Sequence, residues 1–92
     1  MKVKATKTCN AENLWTDAVH IKGSGSYLIS GTFEATVTVQ MSLDNSTFYT
    51  VKTHTVSTLQ KIDLGDEQGA YFKVGIATGE FTSGSAFVAI WR

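Results

Sequence analysis

The stretch Thr32-Phe33-Glu34-Ala35-Thr36-Val37-Thr38-Val39-Gln40-Met41-Ser42-Leu43, closed by Asp44-Asn45-Ser46 and resumed by Thr47-Phe48-Tyr49-Thr50-Val51, decides the fold. Alternation puts Ala35, Val37, Val39, Met41 and Leu43 on one face and Thr36, Thr38, Gln40 and Ser42 on the other. A period of two is the mark of a half-buried antiparallel strand. The Asx pair that follows supplies the side chains of a tight turn, and the aromatics beyond it start a second strand. The chain is built as sheet.

Working outward from that strand, Leu14–Lys22 also alternates, with Trp15, Asp17, Val19 and Ile21 on one face and Asp17 the misfit among them. Gly23-Ser24-Gly25-Ser26 reads as a flexible turn, because glycine adopts positive φ without penalty, and it delivers Tyr27-Leu28-Ile29 as a hairpin partner. Lys2–Thr8 is a weakly apolar strand carrying several lysines, the device by which sheets protect an exposed edge, so residues 1–13 read as an edge strand or N-terminal arm. Downstream, Phe48–Val56 alternates, and Leu59, Ile62 and Leu64 form a less regular apolar set. Gly65-Asp66-Glu67-Gln68-Gly69 is the strongest loop signal, and Ala70, Phe72, Val74 and Ile76 then point to a core. Thr78-Gly79 and Ser83-Gly84-Ser85 bracket Glu80-Phe81-Thr82 as a loop, which predicts an exposed Phe81. The last segment, Ala86–Arg92, is apolar on both faces and calls for cover on both sides. These segments predict an all-β domain spanning residues 1–92. It is an antiparallel two-sheet β-sandwich or jelly-roll-like barrel of roughly seven to eight short strands, spaced about 8–12 residues apart.

Composition narrows the function classes. A 92-residue chain with 42% hydrophobic residues folds with only about 60–65% of its surface removed from water, so it needs support beyond its own core. One cysteine, Cys9, makes no internal disulfide, and no His/Cys ligand cluster stands at metal spacing, so oligomerisation is the expected support. Net charge is zero and charged residues are 17%, which argues against nucleic acid and against a polybasic membrane attachment. Met1-Lys2-Val3-Lys4 begins with charge but no apolar signal core follows it, and no run approaches the ~20 apolar residues of a membrane span, so a soluble product of the cytoplasm is expected.

No residue group declares chemistry. Gly23-Ser24-Gly25 precedes strand-like residues instead of the helix a phosphate loop requires. Asp63, Asp66 and Glu67 lack the spacing of a calcium loop, and His20 and His54 stand far apart with no ligand partner. Asn45-Ser46-Thr47 fits a glycosylation sequon but is better read as the turn between two strands. The expectation is no catalytic residue, no cofactor and no metal. Functional weight falls on contact surfaces. Val88, Ile90 and Ala86 of the final strand, with Val3 of the arm, are the candidate subunit interface. Phe81, Tyr27, Asp66 and Glu67 are the candidate exposed contacts, where aromatic rings and carboxylates serve a protein or a glycan partner.

Ser30-Gly31-Thr32-Phe33, the strand Ala35–Leu43 with Asp44-Asn45, then Phe48-Tyr49, and later Gly69-Ala70-Tyr71-Phe72-Lys73-Val74-Gly75 form a pattern that resembles small β-sandwich virion proteins of tailed bacteriophages. The resemblance covers residues 30–92, and Lys73 departs from the arginine frequent there. It implies a non-enzymatic capsid decoration or cement protein, located on the virion after synthesis in the host cytoplasm. Such a protein self-associates and binds the major capsid protein or another virion protein. The alternatives are a glycan- or receptor-binding module of a phage fibre, or a head–tail connector or tail component.

Overall fold

The computed structural model describes residues 4–63 and 69–92. Its strands are β1 (Lys4–Cys9), β2 (Leu14–Trp15), β3 (Val19–Lys22), β4 (Ser24–Ser30), β5 (Phe33–Ser42), β6 (Tyr49–His54), β7 (Thr58–Asp63), β8 (Gly69–Gly84) and β9 (Ala86–Trp91). They form two antiparallel sheets, one in the order β1-β9-β4-β7 and the other in the order β2-β8-β5-β6, with β3 also on β8. Strands β2 and β3 lie along one edge of β8, opposite Gly75–Ile76 and Gly69–Phe72, and so act as two halves of one broken strand. Counted that way, eight strands fill two four-stranded sheets, and the chain changes sheet at every connection except β5–β6. This is the double Greek-key arrangement of a jelly roll.

The exception follows from the local chemistry of the turn. Asp44 Oδ1 accepts the backbone N–H groups of Ser46 and Thr47, each at 2.9 Å, and the Ser42 hydroxyl at 2.8 Å, while Asn45 takes a left-handed φ of 59°. These donors hold the Asp44 carboxyl at about 2, with the Thr47 N–H the largest cause. The turn fixes β5 beside β6, and a bulge at Val39/Gln40 adjusts their register. Leu43 leaves the alternation because Ser42 has already entered the turn, and its side chain is 77% exposed.

Two expected features take another form. The segments on either side of Gly23 make no hairpin: β3 pairs β8 while β4 pairs β9 and β7. Gly23, at φ 83°, carries the chain over a corner of the sandwich from one sheet to the other. The expected loop at Thr78–Ser85 is the far end of β8, pairing Ala35 with Phe81 and Phe33 with Gly84 across two register shifts. Gly79 at φ 85° absorbs one irregularity, so glycine here marks a bulged strand and not its end.

The core lies between the sheets. Cys9, Tyr27, Ile29, Ile62, Ala86, Val88 and Ile90 enter it from one side, and Val19, Ile21, Val37, Val39, Ala70, Phe72, Val74 and Ile76 from the other. Each large side chain so enclosed contributes about 1.5–3 kcal/mol. Asp17 escapes the core because the strand breaks at Thr16–Ala18. The Thr16 N–H donates to Val74 O at 2.9 Å, and Thr16 Oγ1 accepts the Val74 N–H at 3.1 Å. That break shifts the phase, so Val19 is buried inside while Trp15 lies against Gly75.

Candidate functional site

The residues singled out from the sequence scatter. Ala86, Val88 and Ile90 are 0% exposed, enclosed by the chain's own two sheets, and so present nothing to a second subunit. Parity within β9 separated its faces correctly, but both were apolar, and the pattern alone did not say which one turned inward. Tyr27, at 4% exposure, is a core residue as well. Its hydroxyl bonds His54 Nε2 at 2.7 Å, tying β4 of one sheet to β6 of the other. Phe81 is half-buried and packs against the core, because the segment that carries it is paired strand. Val3, Asp66 and Glu67 lie outside the described residues.

What β9 turns away from the core is Phe87, Ala89 and Trp91, of which Phe87 is exposed, Trp91 half-buried and Ala89 already covered by its neighbours at 1% exposure. Register places them in rows across the outer face of the four-stranded sheet. Ala89 stands between Thr6 and Leu28, and Leu28 is followed by Leu59 of β7. Trp91 stands between Lys4 and Ser26, with Lys61 beyond, and Phe87 stands between Thr8 and Ser30. Phe87 is 39% and Leu59 64% exposed, and the Lys4 ammonium sits 6.0 Å from the Trp91 ring. The result is an apolar strip of Phe87, Trp91, Leu28 and Leu59 with a hydroxyl and lysine border, the composition of a contact surface. Its signal in the sequence was the double apolar pattern of β9 together with Leu28 and Leu59.

A second surface lies along the side where the sandwich stays open. Among the described residues β6 pairs only with β5 and β7 only with β4, so each leaves one edge of main-chain groups unpaired. Between those edges lies a slot of about 250 Å³, walled by Tyr27, Val39, Met41, Ile62 and Phe72, with Val51, Lys52, Gln60 and Lys61 along its mouth. Leu43, Tyr49, Val51, Val56 and Leu59, five of the six exposed large apolar side chains among the described residues, fall on β6, β7 and their flanks.

The remaining chemistry-bearing groups are engaged structurally. Cys9 is buried, its thiol reaching Leu14 O at 3.5 Å, and burial raises its pKa against a smaller opposing pull from Lys7. His20 meets Tyr71 edge to face at 4.8 Å. Lys73 places its ammonium 4.8 Å from the Trp15 ring and 4.4 Å from the Phe48 ring, pinning β2 and the start of β6 to the outer face of β8. Burial, followed by the charge of Lys52, lowers the pKa of His54. Among the described residues no three His, Cys, Asp or Glu side chains gather at metal-binding distance. No family model, curated protein or solved structure matches this chain.

Proposed function

We propose that the chain is a non-enzymatic virion structural protein of the capsid decoration or cement type, which binds a coat lattice and stabilises it through sheet surfaces. One observation carries the reading. Strand β9 presents large apolar side chains on both faces, and the protein covers only the face bearing Val88 and Ile90, leaving Phe87 and Trp91 with Leu28 and Leu59 as an outward strip. The jelly-roll topology agrees with it, since this fold recurs in viral capsid and lectin domains, although a fold alone does not fix a function. Lattice binding needs no deep pocket: many modest contacts repeated by symmetry sum to firm attachment.

The test is cosedimentation of the purified chain with coat shells assembled from the genome that encodes it, followed by the melting temperature of those shells. Bound chain should raise shell stability, and F87E with L59E should abolish binding while leaving the chain folded. Shells that never retain the chain, or that retain the double variant equally, would overturn the assignment.

A further inference from the structure

We propose that the trough beside Trp91, at one end of the four-stranded sheet, binds a neutral glycan, with a pyranose ring against the indole and its hydroxyl groups bonded to Ser24, Ser26, Lys61 and Asp63. The site arises from the order of side-chain sizes across three paired strands. On the outer face Trp91 of β9, Ser26 of β4 and Lys61 of β7 form one row, and Ser24 and Asp63 form the next. The middle strand therefore contributes short hydroxyl side chains while its neighbours contribute long ones. The outcome is a trough of about 390 Å³, with Ser24 and Ser26 as its floor, Trp91 as one wall, Lys61 and Asp63 as the other, and Arg92 also lining it. Sites for small molecules run from ~300 to 1,000 Å³, so the space suits one or two sugar rings. One row further along, the order of sizes is reversed. There Leu28 stands on β4 beside Ala89, and its side chain fills the middle of the surface.

Each wall excludes a class of ligand. A phosphate or carboxylate meets Asp63, an ammonium meets Lys61 and Arg92, and an alkyl group strips water from the two serine hydroxyls without replacing its hydrogen bonds. A sugar hydroxyl carries no charge and both donates and accepts at one oxygen. It can donate to the Asp63 carboxylate, accept from the Lys61 ammonium, and do either with serine. The indole supplies the other half of the recognition, because a pyranose presents a face of C–H groups that a large, stiff aromatic ring covers at little cost in side-chain freedom. Trp91 is placed for this by the chain itself: it is half-buried, and the Lys4 ammonium approaches its ring to 6.0 Å from β1, on the far side of β9 from the trough. The opposite wall is anchored too, since Lys61 and Asp63 flank Ile62, whose side chain is in the core. None of these steps uses a contact with coat protein, so the inference goes beyond the virion role and does not depend on it.

The experiment is an NMR titration of the isotope-labelled full chain with the methyl glycosides of glucose, galactose, mannose and N-acetylglucosamine, read at the backbone amide and indole N–H resonances. Glucuronate and glucosamine are the charged controls. At least one neutral sugar should shift the Trp91 indole and the amides of Ser24, Ser26, Lys61 and Asp63 while the Trp15 indole stays in place. The charged sugars should bind at least about threefold more weakly. Asp63→Asn should weaken the neutral sugar about tenfold, since it replaces a charged acceptor by a neutral one. Ser26→Val, whose branched side chain suits a strand and fills the floor, should abolish the shifts. The spectrum of each variant reports its fold directly. Absence of shifts with all four neutral sugars, shifts centred away from the trough, tighter binding of a charged sugar, or binding that survives both substitutions overturns the proposal. No coat protein enters the titration, so its failure leaves the virion role standing and its success does not establish it.

Discussion

Replacing Ile90 by aspartate is the sharpest test of which face of β9 is inside. Ile90 is 0% exposed, and its direct cross-strand neighbours are Ala5 and Tyr27, neither of which offers a cation. Val88 is a poorer site for the test, because Lys7 stands opposite it and could pair with a new carboxylate. Loss of the isoleucine removes about 1.5–3 kcal/mol of burial. Keeping the aspartate neutral at pH 7, some three units above its ordinary value near 3.9, costs about 4 kcal/mol more at 1.36 kcal/mol per unit. A chain of this length has a total stability of about 5–14 kcal/mol at the usual 0.05–0.15 kcal/mol per residue. The two costs together come to about 5.5–7 kcal/mol, which removes most or all of the stability of a domain in the lower half of that range at pH 7. The sign of its pH dependence is fixed: the folded-state pKa is raised, so the penalty grows as pH rises above the unfolded value and vanishes below it. Urea unfolding followed by circular dichroism should find the variant largely unfolded at pH 7 and recovered by about 4 kcal/mol near pH 4. Asp44, held at about 2, still braces its turn at that pH. Phe87→Asp, on the outer face of the same strand, should cost less than about 2 kcal/mol because Phe87 is already 39% exposed. An Ile90→Asp protein with native stability at pH 7 and a lower mass than the parent by light scattering would refute this account and restore Ile90 to a subunit interface.

Tyr27→Phe deletes the 2.7 Å bond to His54 and should cost about 0.5–1.5 kcal/mol in urea unfolding. His54 titrates below its ordinary 6.5, so its stabilising contribution is complete above that value and fades as pH falls through the folded-state pKa, a slope that His54→Gln should remove. Lys73→Met withdraws the ammonium from Trp15 and Phe48 and should cost about 0.5–2 kcal/mol, with a shift in tryptophan emission as the check. Gly75→Ala should be worse than a surface change, by about 1–3 kcal/mol, since a Cβ there comes within 2.7 Å of Trp15 Cα and must push β2 off β8. For Asp44→Ala the deficit against the parent should hold steady from neutral pH to just above 4 and close as pH falls towards 2, because the depressed carboxyl gives its support only while ionised.

The alternation of β5 and the Asx turn after it were legible because both are local: a period of two reports a one-sided sheet, and a carboxylate accepting N–H groups two and three residues on makes its own turn. Partners far along the chain were not legible. Gly23 signals a change of direction, but whether the chain folds back on its own sheet or crosses to the other depends on β8 and β9, more than forty residues downstream. Phe81 was misplaced for a related reason. Glycine at 79 and 84 ends a strand in isolation, yet a ten-residue β5 beside it offers enough hydrogen bonds to carry β8 through both irregularities. The interface residues failed by inversion. Ala86, Val88 and Ile90 are as apolar as Phe87, Ala89 and Trp91, and only the opposite sheet decides which triplet it covers.

The outer strip of β9 and the slot meet at β7, whose Leu59 and Lys61 face outward while Ile62 lines the slot. The two surfaces are therefore neighbours on either side of one edge strand. That geometry also addresses the marginal core of so short a chain. At one side of the sandwich the Cys9 thiol of β1 reaches Leu14 O of β2, and at the other the Tyr27 hydroxyl reaches His54 of β6, so each side is joined across the sheets by a side-chain hydrogen bond. Covering the open side would shield β6, whose residues Tyr49 to Thr53 are all exposed, and local opening should begin there in the free protein. Hydrogen exchange should therefore be fastest in β6 and β7 among the described strands.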